Sequence, residues 1–239
     1  MLRDSDIGTS RFPRAEYRGS VPAGNPEMSA ARCVILAVMR LPPGDSQLVQ
    51  IVDRALADAA RRAGKWLVCR LGCTQCCYGA FAINQLDALR LRAGMDELVV
   101  TQPAQAAEIE RRAHAWIDEH RADFPGDSQT GLLGEREAER EQFEEFANQT
   151  ACPALDPATG RCDVYAWRPM TCRVFGPPIR MEVQMGDAVA LGHCELCFVG
   201  AGEAEVAACE MPVPHDLEAE LLNKVESQGE TVVAYALLR

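Results

Sequence analysis

The placement of cysteine constrains this chain more than any other feature. Nine of its 11 cysteines fall in two windows, residues 69–77 and 152–197, and residues 78–151 carry none. A metal site is the natural reason to unite such windows, because thiolates at C-x2-C spacing converge on one ion across a tight turn. Cys73-Thr74-Gln75-Cys76 and Cys194-Glu195-Leu196-Cys197 both have that spacing, and together they make one tetrathiolate site. Cys69, Cys77, Cys152, Cys162 and Cys172 remain, enough for a second set with one spare. Adjacent side chains in extended or turn backbone diverge, so Cys76 and Cys77 are expected to serve two sites, or to leave one as a packed thiol. Cys33, in an apolar run, and Cys209, in an Ala-rich stretch, read as packed thiols.

The competing explanation is a secreted disulfide scaffold, which calls for an export signal, an even cysteine count and a small loop-rich chain. Here the count is odd and the chain has 239 residues. The nearest thing to a signal core, Cys33 to Met39, runs into Arg40-Leu41-Pro42-Pro43 instead of a small-residue cleavage site, and reads as a buried strand or helix turn. Metal-bound thiolates in a reducing cytoplasm are the better context. A net charge of −11 disfavours nucleic acid and anionic lipid as partners, since both need a positive surface. No apolar run exceeds seven residues, against ~20 for a membrane span.

Between the windows the texture is helical. Leu48, Ile51, Val52, Ala55, Leu56 and Ala59 recur at three and four, with Asp45 or Ser46 as cap and Gly64 as stop. Asn84 caps a helix carrying Leu86, Leu89 and Leu91 that is expected to stop at Gly94. A longer one starts near Pro103 and ends at Phe124-Pro125-Gly126. Residues 135–148 form a charged helix anchored by Phe143 and Phe146, and 217–225 form another. His114 and His120, six apart, are off one another's face and read as helix-surface histidines. Residues 180–184 and 187–191 look extended around a Met185-Gly186-Asp187 turn, and 231–238 is apolar and of either type. Residues 1–30, with glycines and prolines among polar residues, read as a disordered arm, or as sequence ahead of a start at Met28. The expected fold is mainly α with a small irregular or β cysteine-rich metal-binding centre, a single domain over 31–239.

Four thiolates around a divalent ion leave about −2 of charge, which an interior must offset with N–H donors and cations. Arg70, Arg161, Arg168 and Arg173 lie close to the cysteines in an otherwise acidic chain, and Arg168 and Arg173 are the leading counter-charges.

The run Cys69-Arg70-Leu71-Gly72-Cys73-Thr74-Gln75-Cys76-Cys77, then Cys152-Pro153, Gly160-Arg161-Cys162 and Val164 through Gly176, resembles the YkgJ-type cysteine-cluster family. Its most specific part is the string Cys162-x2-Tyr165-x2-Arg168-Pro169-x2-Cys172-Arg173. The resemblance covers about residues 69–200 and implies a zinc- or iron-chelating domain, with a similar cluster in flagellin lysine N-methylases. One departure stands out. The family opens Cys-x2-Cys-x2-Cys-Cys, whereas three residues separate Cys69 from Cys73, which makes Cys69 the least regular of the ligands. The same departure gives the Cys-x3-Cys-x2-Cys spacing of radical S-adenosylmethionine loops, but the alternating strands and helices of such enzymes are missing from the pattern.

The resulting ligand set is Cys69, Cys73, Cys76, Cys77, Cys152, Cys162, Cys172, Cys194 and Cys197, for zinc or for iron, including an iron–sulfur cluster. The primary functional reading is a metal-binding protein with a structural or electron-transfer role. The alternatives are a cluster-dependent enzyme, redox or similar to the flagellin methylases, and a zinc-dependent protein-interaction module. Gly200-Ala201-Gly202 lacks the third glycine of a dinucleotide loop, and no Ser/His/Asp order or HExxH is present, so no catalytic residue is assigned.

Overall fold

A computed structural model describes residues 40–70, 72–181, 190–226 and 229–238. They belong to one unit, Met39–Arg239. The arm over 1–30, Cys33 with its apolar run, and the turn at Met185-Gly186-Asp187 lie outside the described residues.

Helix α1 (Asp45–Ala63) follows Gly44, whose φ of 104° is open to glycine alone at low cost, and ends at Gly64. Asp45 in its first turn and Arg61 and Arg62 in its last complement the helix dipole. Strand β1 (Ala82–Asn84) leads into α2 (Gln85–Thr101), where the Asn84 side chain accepts the Asp87 N–H at 2.9 Å as an N-cap. Helix α3 (Pro103–His120) starts on the expected proline. Strands β2 (Gly126–Asp127) and β3 (Leu132–Leu133) pair as a hairpin, and the charged helix α4 (Glu137–Glu145) follows. In the cysteine-rich stretch come β4 (Leu155–Asp156) paired with β5 (Arg161–Cys162), the short helix α5 (Met170–Val174), and β6 (Ile179–Met181) paired with β7 (Ala190–Gly192). Helices α6 (Glu203–Ala208) and α7 (His215–Leu222), strand β8 (Glu230–Val232) and helix α8 (Val233–Ala236) complete it.

The fold is mainly α, and among the described residues strands are confined to four two-stranded antiparallel pairs. Leu91, Met95 and Leu98 of α2 pack with Ile109 and Ala113 of α3 and Leu237 beyond α8. Leu48 and Val52 of α1 pack with Leu86 of α2, Met211 and Leu221. A third cluster is aromatic, with Trp116, Phe124 and Phe146 in edge contact. Among the described residues no helix is long and apolar enough to cross a membrane.

Three expectations change. Helix α2 does not stop at Gly94; it runs on to Thr101. Gly94 marks a close approach instead, since a Cβ there would stand 2.5 Å from Cγ of Trp167. The apolar end splits: Thr231 and Val232 pair with Ile83 and Ala82, and the chain then turns helical at Val233. His120 is half-buried rather than a freely exposed histidine. Its ring lies 4.5 Å from that of Trp116 and 5.6 Å from that of Phe146, and its Nε2 is enclosed without a hydrogen-bond partner.

A local repeat was not anticipated. Asp127-x2-Thr130-Gly131 and Asp156-x2-Thr159-Gly160 are the same hairpin loop. In both, the Asp carboxylate accepts a backbone N–H two residues on and the Thr hydroxyl three on, and a positive-φ glycine closes the turn onto the Asp carbonyl. The second copy carries Cys162 back beside Leu155.

Candidate metal centre

The two cysteine windows meet through the backbone. Cys152 N–H donates to the Cys77 carbonyl at 2.7 Å, Tyr78 bridges Ala151 antiparallel, and Gly79 N–H donates to Thr150 O at 2.9 Å. Helix α3 holds the second window from outside. Arg112 Nε donates to Pro153 O at 2.8 Å and its Nη2 to Asp163 Oδ2 at 2.5 Å, while Gln105 Nε2 reaches Asp163 Oδ1 at 2.9 Å. Those ties frame Cys152 and Cys162 on either side.

Cys172 rides on α5, which is too short to stand alone and is held by buried charge. Asp87 of α2 accepts the Met170 N–H at 2.9 Å, and Arg90, 2% exposed, is shared between Asp87 and Asp45. Arg173, also 2% exposed, donates to both carboxylate oxygens of Asp53 at 2.8 and 3.0 Å, to the Arg168 carbonyl at 3.2 Å and to the Ala166 carbonyl. It ties α1, α5 and the Tyr165–Trp167 turn together. Arg168 lies 3.9 Å over the Tyr165 ring and donates to Tyr165 O at 2.9 Å. Its charge favours the thiolates of Cys76 and Cys162. Arg70 and Arg161 are exposed.

The thiols sort into two groups by the partners each feels. Cys69, Cys73, Cys194 and Cys197 interact among themselves, with Cys69 and Cys197 Sγ 3.9 Å apart. Cys76, Cys77, Cys152, Cys162 and Cys172 form the other group. Of the first-window thiols, Cys69 is the one placed against the Cys194 turn, its Sγ 3.9 Å from that of Cys197. Both members of the adjacent pair, Cys76 and Cys77, line the same cavity as Cys152, Cys162 and Cys172. The Gln75–Cys77 stretch is a 3-10 turn, and in it neighbouring side chains do not diverge as in a strand.

Crowding makes these thiols hard to ionise without a cation. Burial and then the Cys197 thiol push Cys69 up to about 12, and burial pushes Cys152 up to about 12 and Cys172 well above the usual thiol value. Cys162 and Cys194 rise chiefly for the same reason. The hydrogen bond between the adjacent pair raises Cys77 and lowers Cys76 to about 6, with Arg168 adding to the latter. All but Cys197 line one cavity of about 450 Å³, whose apolar wall includes Phe81, Leu91 and Phe175. Among the described residues no three Cys, His, Asp or Glu side chains are already gathered as metal ligands. What fits the metal is the donor chemistry: sulfur in numbers, drawn from both windows, which suits zinc and iron alike. Cys209 is buried at 4% exposure, in a cluster with Ala63 and Phe198.

Thiols from both windows thus line one cavity of this largely helical chain, which makes it a cysteine-cluster protein. Residues 68–188, about half of the 239, match the model of the CxxCxxCC family, whose description reads "Putative zinc- or iron-chelating domain". The chain belongs to that family. The matched stretch takes in seven of the nine window cysteines and ends before Cys194 and Cys197. No curated protein and no solved structure matches the chain.

Proposed function

We propose that this is a metal-binding protein in which thiolates of the CxxCxxCC domain hold zinc or iron chiefly to order the cysteine-rich segment. The observation that carries the reading is the group of Cys76, Cys77, Cys152, Cys162 and Cys172, five thiols from four separate short segments. Those segments are a 3-10 turn, the loop at Cys152, the two-residue strand β5 and a five-residue helix, none of which is stable by itself. Bound metal would supply a positive centre that lets several thiols ionise together and cross-links the segments that carry them. Arg168 offsets part of the remaining negative charge, while Arg173 acts at a distance by fixing the turn on which Arg168 sits.

The test is metal content and the ultraviolet–visible spectrum of anaerobically purified protein, with thermal stability before and after chelation. Stoichiometric zinc or iron, and a sharp fall in melting temperature on its removal, are the expected results. Broad visible absorbance with matching iron and sulfide, bleached by dithionite, would transfer the role to electron transfer. Metal-free protein that melts as the metal-loaded form does would overturn the reading.

A further inference from the structure

Cys194 and Cys197 lie beyond the family match, yet the fold carries them back to its first cysteines. We infer that Cys69, Cys73, Cys194 and Cys197 form a metal site of their own, a mononuclear tetrathiolate for a zinc-like divalent ion, separate from the group around Cys76. The inference rests on the reading that the clustered thiols chelate metal, and adds that they do so at two centres.

Distance is the first argument. Two sulfurs on a tetrahedral zinc, each about 2.3 Å from the ion, stand about 3.8 Å apart. Cys69 and Cys197, 128 positions apart in sequence, have Sγ atoms at 3.9 Å. Cys73 and Cys194 line the same cavity as Cys69, and since no three described side chains already stand gathered as ligands, a bound ion would draw these two onto the pair.

The second argument is that both turns are built. Cys73 N–H donates to Arg70 O at 2.9 Å, and Cys197 N–H to Cys194 O at 2.9 Å. The Cys194–Cys197 turn is also pinned to its surroundings: Cys194 N–H donates to Gly176 O at 3.2 Å, and the next residue after Cys197, Phe198, donates to Trp66 O at 2.9 Å. Gln75 Nε2 donates to Glu195 Oε1 at 2.6 Å, which straps one turn to the other. Gly176 has φ +126°, and a Cβ there would stand 3.2 Å from Cys69 Sγ, so only glycine leaves this thiol its place without strain. The extra residue between Cys69 and Cys73 is thus the spacing of a different turn, one that faces Cys194 and Cys197.

This centre would staple the end of α1 and the first window to the segment leading into α6. Its chemistry is that of a closed structural site, all sulfur and tetrahedral, with no open position for a substrate.

The test is a cysteine-alkylation footprint, read by mass spectrometry, of the zinc-loaded full chain across a chelator titration. Cys69, Cys73, Cys194 and Cys197 should become reactive as one set, at a different chelator concentration from Cys76, Cys152, Cys162 and Cys172. Zinc content should be at least two equivalents, and the double variant Cys194→Ser/Cys197→Ser should lose one of them and keep the rest. Exposure of all the thiols in a single step, or unchanged zinc content in that variant, would overturn the separate centre while leaving chelation intact. Failure of the unaltered protein to bind zinc or iron at all would instead sink the underlying reading.

Discussion

Replacing Gly94 by alanine tests whether the helical shell sets the geometry of the cysteine-rich segment. In a free helix this change stabilises by ~1 kcal/mol, because glycine gives up more backbone freedom on folding. At this position the new Cβ would stand 2.5 Å from Cγ and Cδ2 of Trp167 and 2.9 Å from its Cβ. Carbon atoms rest at about 3.5–4.0 Å, so the shortfall is about 1 Å. The atoms in the way are the root of the indole, and moving them means moving the Tyr165–Trp167 turn. That turn carries Arg168 over the Tyr165 ring and leads into Cys172. Overpacking of this kind costs ~1–3 kcal/mol.

After the helix gain is set against it, Gly94→Ala should lose up to about 2 kcal/mol, a melting temperature lower by up to roughly 8 °C for a chain of this size. Thermal and urea unfolding of the metal-loaded protein measure it. The companion variant is Trp167→Ala. In that background the contact is gone, and the same Gly94→Ala change should become neutral or stabilising by up to ~1 kcal/mol. A Gly94→Ala protein that melts at or above the unaltered one refutes the argument, and equal effects in both backgrounds place the loss elsewhere.

Removal of metal should deprotect amides over residues 152–197 in hydrogen exchange while α2 and α3, packed through Leu91, Met95 and Ile109, keep theirs; equal loss in both regions would contradict this. Arg173→Gln should cost ~2–4 kcal/mol of stability with metal stoichiometry kept, since it leaves two carbonyls unpaired and Asp53 with only the 3.5 Å contact to Arg168, whereas Arg168→Gln should cost less stability but lower metal affinity roughly 10-fold to 100-fold. Chemical denaturation and competitive chelation separate the two, and reversed outcomes would exchange their roles. Burial raises Asp87 to about 6 against the opposing pull of Arg90, from an unperturbed 3.8. The folded chain therefore binds this proton more tightly than the unfolded one. The contribution is complete below the unfolded value and lost as pH rises through the folded one. Asp87→Asn, which keeps an acceptor for Met170 N–H, should gain on the unaltered protein by up to about 3 kcal/mol between pH 4 and 7, and a flat difference would discount the shift.

Much of the helical shell is legible in the chain because its signals are local. Apolar residues at three and four, Asn84 as cap, Pro103 at a first turn and Gly64 as stop give α1, the start of α2, and α3 close to their observed ends. Gly94 misleads for a physical reason. A glycine that ends a helix and a glycine that admits a neighbour's ring look alike in sequence, and only Trp167, 73 positions on, tells them apart. His120 is hidden in the same way, since its neighbour Phe146 comes from another element.

The string from Cys162 to Arg173 was recognisable before its mechanics were. Tyr165 supplies the ring on which Arg168 lies, Pro169 precedes the first residue of α5, and Arg173 gathers the carbonyls of Ala166 and Arg168 with Asp53. Every named residue thus fixes the placing of Cys172 relative to Arg168, and the motif is a clamp as much as a ligand set. The division of the thiols was not legible. Spacing says that Cys73 and Cys76, or Cys194 and Cys197, share a turn, but the turn does not say which thiols meet across the fold. That choice is made by contacts between segments far apart in sequence: Cys152 N–H on Cys77 O draws the second window to the adjacent pair, while Gln75 on Glu195 and Gly176 against Cys69 draw the Cys194–Cys197 turn to the first cysteine. Because two of those contacts involve a carboxamide and a glycine, the residues that decide which cysteines act together include non-ligands that a search for metal-ligand spacings passes over.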